Sequence, residues 1–398
     1  MTRLDEEPEA GRHRFAGRAR RLSVGGLTKL LGAGVPADTL DFAVGTPAWP
    51  DPPAEVVEAA CAALRGGANQ YAPPDGDLGL RTALAGWLGR GVDPLTELTI
   101  TSGATEALCV ALLATVDPGD EVVVLEPCYE NFLTAITVAG AQARFVPLRG
   151  DGWRYDSEEL AAAFGPRTRA VVVNTPNNPT GRLLTADDIR EIGALCERWD
   201  TTIISDEVYS SYVFDGRAHL SPRDVPGAGH RTIVLGSLSK SHAISGWRMG
   251  FLLADAERTE VLRRVHIVTS GGAAHPLQAG LAEAHLLGGT AWDPRPGLQD
   301  RRDRVVEALR GYGLRCVAPQ GGCYALADIR DVSDTDSEAF VLDLLAGSRV
   351  LFVPGTFFFP NGGGKHLVRV AFNRPDSVID ELVARLGGAA VPATTRGA

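Results

Sequence analysis

Lysine is nearly missing from this chain. Of its 39 lysines and arginines, only Lys29, Lys240 and Lys365 are lysine. Other scarcities exclude whole function classes. No apolar run approaches the roughly 18 residues that a membrane span needs. The opening MTRLDEEPEAGRHRF is charged and lacks the apolar core of a signal peptide, so a cytoplasmic protein is expected. A formal net charge of −10 argues against a general binder of nucleic acid or of anionic membrane. The one basic run, residues 11–21, reads as a solvated arm. Six cysteines form no CxxC pair and no cluster with histidine, so free thiols are expected and no metal centre.

What is present is an ordinary globular composition, 44% hydrophobic and 22% charged over 398 residues. That length suits two or three domains. Short β-rich runs at 97–103, 121–127, 143–148, 170–176, 201–207, 232–237 and 250–255 alternate with helical patterns. One of these patterns, 185–199, opens on a threonine cap followed by acids. Several runs are continuously apolar, as strands covered on both faces are. The pattern predicts an α/β fold with a mostly parallel, doubly wound sheet, whose ligand site lies at the carboxyl ends of its strands. After about residue 290 the pattern changes to helices at 298–311 and 376–387 around short strands, a smaller α+β domain. The division expected is an N-terminal arm and part of the small domain at 1–45, a large domain at 46–290 and a small domain at 291–398. The tail from residue 387 is expected to be disordered.

Lys240 stands in LGSLSKSHAISGWRMG, in a polar turn after a predicted strand. Arginine cannot form an imine under ordinary conditions, because its guanidinium stays protonated. Lysine can, and desolvation frees its amine. A lone lysine is more often a chance surface residue, but the neighbours change the balance. Gly103, Ala104 and Thr105 open a predicted helix, where free N–H groups suit a phosphate. Ser237 and Arg248 flank the lysine as further phosphate partners. Asp206 and Tyr209 end one strand, Asn178 lies in a turn, and Tyr129 offers a flat ring after another strand. A phosphate cradle, a stacking surface, a carboxylate and an imine-forming lysine are together what pyridoxal phosphate requires.

These blocks resemble the fold-type I pyridoxal-phosphate enzymes of the class I/II aminotransferase family. SLSKSHAISGWRMG is similar to the family's Ser-x-Ser-Lys followed by Gly-x-Arg-x-Gly, and NNPTG and DEVY follow its other blocks in order. The likeness runs from about residue 40 to 372. It implies an aspartate-aminotransferase-like fold and pyridoxal 5′-phosphate carried on Lys240. It further implies Asp206 on the pyridine nitrogen, Tyr209 and Asn178 on the ring oxygen, and Tyr129 on the ring face. Phosphate contacts would come from Ala104, Thr105, Ser237 and Arg248. Tyr71 matches a tyrosine that reaches the phosphate from a second subunit, which implies a homodimer with shared sites. Arg369 matches the arginine that forks onto the substrate α-carboxylate, and Gly45 a glycine whose backbone nears the substrate. An amino acid and a 2-oxo acid are the implied substrates.

Four places depart from the family pattern. His242 replaces an aromatic residue. Residues 270–278, which include His275, replace a polar segment. Tyr324 stands where Phe or a smaller apolar group is common. Phe357, Phe358 and Phe359 replace a single Phe. No second arginine is evident for a dicarboxylic side chain, so a neutral or aromatic donor is favoured. The same residues would serve an elimination lyase or a cyclase of the aminocyclopropane-carboxylate synthase type, and no motif separates these from a transaminase. The sensor module of a transcription factor is disfavoured, because about 40 residues before the fold leave little room for a DNA-binding domain.

Overall fold

The computed structural model describes residues 15–22, 25–32, 34–89, 91–284 and 292–388. The start of the basic arm, the expected boundary at 290 and the tail from 389 lie outside the described residues. The rest of the arm is exposed, and Gly17–Arg21 forms one short helical turn.

A first short strand, β1 (Leu40–Asp41), precedes the main sheet. That sheet contains β2 (Leu98–Ser102), β3 (Glu121–Glu126), β4 (Gln142–Pro147), β5 (Thr168–Asn174), β6 (Thr202–Asp206), β7 (Thr232–Ser237) and β8 (Met249–Leu253). Every strand expected for it is there, with ends displaced by at most two residues. The spatial order is β2-β8-β7-β6-β5-β3-β4. All strands run parallel except β8, which is antiparallel to both β2 and β7. The α/β expectation therefore stands, with one reversed strand that composition does not encode.

Burial follows from the two-sided cover. β3, β6 and β7 are buried along their whole length. β4, at the edge, alternates between exposed and part-buried positions over its first four residues. On one face Leu108, Leu112, Phe132 and Ile136 pack on Val122, Val124, Val172 and Ile204. On the other, Leu160, Ile189 and Ile192 pack on Val123, Val171, Val173 and Ile203. Successive strand residues thus serve opposite cores, as a period of two requires. The helix Ala186–Trp199 begins at the predicted cap: the Thr185 hydroxyl accepts from the Asp188 N–H, and the Asp188 carboxylate accepts from the Thr185 N–H. Such a reciprocal cap contributes about 1 kcal/mol.

The second sheet is antiparallel and smaller. Its strands are β9 (Arg315–Cys316), β10 (Tyr324–Asp328), β12 (Val353–Pro354) and β13 (Leu367–Ala371), in the order β12-β13-β10-β9. Just before β12, β11 (Val350–Leu351) pairs in parallel with β1. The helices Arg295–Gly311 and Asp376–Gly388 cover this layer, burying Leu298, Val305, Leu309, Ile379 and Leu382. The pairing of β1 with β11 carries the segment after β1 to the seam between the two sheets.

Candidate active site

The carboxyl ends of β2, β5, β6 and β7 meet the amino end of β8 at one edge of the main sheet. There a cavity of about 590 Å³ opens. Of the predicted site residues, all but Gly103 and Tyr71 line it.

Lys240 sits in the short helix Leu238–Ser241 that follows β7. Ser237 ties this turn down: its hydroxyl donates to the Met249 carbonyl at 3.1 Å and accepts from the Ser239 N–H at 3.1 Å. Tyr212 donates its hydroxyl to the Lys240 carbonyl, and the Trp292 indole N–H donates to that of Ser241 at 2.7 Å. The backbone is thus held while the side chain reaches into the cavity. The Lys240 amine donates to the Gly45 carbonyl at 2.8 Å. Burial lowers its pKa below the ordinary lysine value, and Arg369, Arg248 and Arg374 act in the same direction.

Asp206 ends β6 and is buried. Burial pushes its carboxyl up to about 7, and Glu207 adds to this; a hydrogen bond from the Val208 N–H and the charge of Lys240 oppose it. Asn174 fixes the backbone here, donating its amide to the Asp206 carbonyl at 2.9 Å and accepting from the Asn178 N–H at 2.7 Å. Tyr129 begins the helix Glu130–Ala139, and its hydroxyl accepts from Asn131 at 2.7 Å.

The helix Gly103–Thr115 starts without a side-chain cap on its first N–H groups. Gly103 has φ +77°, and a Cβ there would lie 2.5 Å from the Arg248 guanidinium. Glycine therefore lets the helix start and the arginine come together. Arg248, itself in the left-handed region at φ 56°, spends one hydrogen bond on the Ser245 carbonyl. An uncapped helix terminus beside a guanidinium is an anion cradle.

Arg369 projects from β13 with 3% exposure. One of its terminal nitrogens donates to the Asn178 side-chain oxygen at 3.0 Å, the other to the Ala43 carbonyl at 2.7 Å. Its Nε is buried and has no partner. The guanidinium lies 4.0 Å from the Tyr324 ring centre and 4.7 Å from that of Phe358.

Sequence reading missed Arg374. It is buried, and its guanidinium donates to the carbonyls of Asp41, Val44 and Thr46. It thereby holds the segment that presents Gly45. An arginine in FNRPD looks like a surface residue, so no local signal marks it. Cys323, which the sequence reading took only as one of six free thiols, is fully buried and feels the Lys240 charge.

The four departures separate in space. His242 is buried against the Trp87 ring, hydrogen-bonded to the Ser241 hydroxyl at 2.9 Å, and not on the cavity. Burial pushes its pKa down to about 4. His275 donates to the Gln70 carbonyl at 3.0 Å, next to Tyr71, whose side chain is 94% exposed. Of the three phenylalanines, Phe358 packs on Arg369 and Phe357 lies against Gly26. A larger hollow of about 750 Å³ lies between Gly26, Lys29, Glu130 and Phe357, and shares only Asn131 with the cavity that holds Lys240. The chemistry-bearing groups are in the smaller one.

The family model for aminotransferase class I and II matches residues 37–386. The chain belongs to that family. It is 35% identical over 355 residues to the probable N-succinyldiaminopimelate aminotransferase of Mycobacterium tuberculosis, covering 84% of this chain and 89% of that one. It is 33% identical over 347 residues to kynurenine–oxoglutarate transaminase 3 of Mus musculus, covering 78% and 76%. Among solved structures, N-succinyldiaminopimelate aminotransferase from Mycobacterium tuberculosis superposes with a TM-score of 0.88 at 33% identity, over 94% of this chain and 99% of that one. The protein is thus a pyridoxal-phosphate-dependent transferase with the aspartate-aminotransferase-like fold. The cavity fits that cofactor: a desolvated lysine, a buried carboxylate and an uncapped helix start beside Arg248 face one space. Among the described residues no cluster of His, Cys, Asp and Glu is placed to hold a metal, and no helix is long and apolar enough to cross a membrane.

Proposed function

We propose that this enzyme moves the amino group of an L-amino acid, with neutral or aromatic side chains favoured, to a 2-oxo acid. Arg369 carries the reading. Its buried, partly unpaired guanidinium faces the cavity of Lys240, where a substrate α-carboxylate would complete its bonding. The other cations lining that cavity, among the described residues, are Lys240 and Arg248. With Arg248 at the anion cradle, no cation is left for a second substrate carboxylate.

When bound, pyridoxal phosphate supplies a protonated ring that takes up electron density from the substrate Cα. Ala104, Thr105, Ser237 and Arg248 would hold its phosphate, with Gly103 allowing the approach. Asp206 would pair with the ring nitrogen, a cationic partner that would offset the burial raising the Asp206 pKa. Tyr209 and Asn178 would donate to the ring oxygen, and Tyr129 would cover a ring face. Lys240 would bind the cofactor through its amine and serve as general base and acid for the proton at Cα. Burial lowers the amine's pKa, so more of it is in the free form than in an exposed lysine. Gly45 and Asn178 flank the substrate.

We read the enzyme as a cytoplasmic homodimer, divided near residues 45 and 290, in which Tyr71 completes the neighbouring subunit's phosphate site. The exposure of Tyr71 supports this. A half-reaction screen tests the function. Enzyme is mixed with single amino acids while spectra and keto acids are recorded. Conversion to the pyridoxamine form with one equivalent of keto acid, strongest for neutral or aromatic donors, is expected. Release of ammonia without the pyridoxamine form overturns transamination.

A further inference from the structure

We propose that Tyr324 is a positioning residue, which couples the ring-oxygen tyrosine to the carboxylate arginine through its hydroxyl on Tyr209 and its ring on Arg369. The proposal rests on the roles given above to Tyr209 and Arg369.

Tyr324 opens β10 and is 5% exposed. In the register of β10 with β13, Arg369 pairs with Leu326, two residues along from Tyr324. Residues two apart on a strand share a face, so Tyr324 is the diagonal neighbour of Arg369. The guanidinium lies 4.0 Å from the Tyr324 ring centre. The ring therefore stacks on a cation that has little freedom to move. At the other end, the Tyr324 and Tyr209 hydroxyls are 3.4 Å apart, with the rings edge-on at 79°.

A third contact fixes the tyrosine from above. A Cβ at residue 45 would lie 1.5 Å from the Tyr324 hydroxyl oxygen. The hydroxyl thus occupies the place that a side chain at 45 would take, and Gly45 is also the acceptor for the Lys240 amine. A hydroxyl in a buried place is costly unless it is bonded, and the Tyr324 hydroxyl is bonded to that of Tyr209.

That pairing has a direction. In this structure the Tyr209 hydroxyl donates to that of Tyr324. Once the Tyr209 proton is turned to the cofactor's ring oxygen, the pair reverses and Tyr324 donates to Tyr209. Donors in series polarise one another, so Tyr324 strengthens the bond Tyr209 makes. The titratable and charged groups felt by the pair are Arg369 from β13, Cys323 beside Tyr324, and Tyr129 across the cavity. A stronger donor on the ring oxygen stabilises its anionic form and makes the lysine-bound cofactor release its proton at lower pH.

Two substitutions separate the contacts. Tyr324→Phe keeps the ring over Arg369 and removes only the hydroxyl. The pH midpoint of the lysine-bound cofactor's absorption band should rise by roughly half a unit. The dissociation constant of an inert carboxylate, 3-phenylpropionate, should stay within about twofold. Tyr324→Leu also removes the ring, and 3-phenylpropionate should then bind roughly 2- to 30-fold more weakly. In turnover, kcat should fall in both variants, and KM should rise mainly in Tyr324→Leu. An unmoved midpoint in Tyr324→Phe overturns the proposal, as does equal loss of carboxylate binding in the two variants. Tyr209→Phe and Arg369→Ala serve as references. If they move the midpoint and the carboxylate affinity while the Tyr324 variants move neither, only this proposal fails. If the references also move neither, the roles of Tyr209 and Arg369 fail, and this proposal with them.

Discussion

The Lys240 amine donates to the carbonyl of Gly45, a residue 195 positions earlier in the chain, at 2.8 Å. One lies on the main sheet's turn and the other on the segment that β1 leads to the second sheet. The bond spans the cavity, and burial there lowers the amine's pKa below the ordinary lysine value.

Lys240→Ala should abolish the lysine-bound absorption band and slow turnover at least 10²- to 10⁴-fold, the range for a lost general acid–base group. Lys240→Arg keeps the cation yet should be as inactive, since guanidinium stays protonated. Borohydride reduction of the native enzyme and peptide mapping check the assignment. A label on Lys29 or Lys365 would sink it.

Arg369→Ala should lower kcat/KM for amino acids roughly 10- to 150-fold, from loss of a charged hydrogen bond of about 1.5–3 kcal/mol. Arg369→Lys should recover only part, because it keeps charge and loses the fork. Amines lacking a carboxylate should be poor substrates and little changed. Equal losses for an amino acid and its matching amine would make Arg369 a structural residue.

Asp206 gives the cofactor-free protein a pH-dependent weakness. Its carboxyl rises from 3.8 to about 7 on folding, chiefly through burial. Below the unfolded value both states are protonated and nothing is lost. Between the two values the folded state holds the extra proton, so stability falls as pH rises, and above about 7 the full cost remains. Asp206→Asn should therefore stabilise the cofactor-free protein by a few kcal/mol at pH 8 and by much less near pH 4. Urea midpoints at the two pH values decide it. An equal gain at both points to a cause other than ionisation.

Mixing Tyr71→Phe with Arg369→Ala subunits should restore part of the activity that each lacks. A two-fold dimer of the mixed kind has one doubly altered site and one intact site. A fully active monomer in sedimentation at assay concentration would contradict a shared site.

Much of this was legible because the main sheet's strands are apolar runs, and because the chemistry sits at their ends. Lys240, Asp206 and Asn178 could be placed from local sequence alone. Arg374 could not. Its burial depends on the carbonyls of Asp41, Val44 and Thr46, brought near by the pairing of β1 with β11. Tyr324 was visible as a departure, but its contact with Tyr209 arises only when the two sheets meet. The reversal of β8 was hidden because alternation reports which face a residue takes, not which way its strand runs.

That reversal has a mechanical effect. A parallel successor to β7 would have needed a crossover to the far end of the sheet. Instead the chain returns antiparallel on the same side of the sheet, so that Ser237 pairs beside Gly250 and Ser102 beside Met249. The amine of Lys240 and the guanidinium of Arg248 therefore belong to one connection, residues 238–248, between two paired strands. On the roles proposed above for Lys240 and Arg248, it would act as a ruler, setting the span between the covalent attachment and the anion site. Residues added to other surface loops would leave that span alone, whereas any added between 240 and 248 would lengthen it.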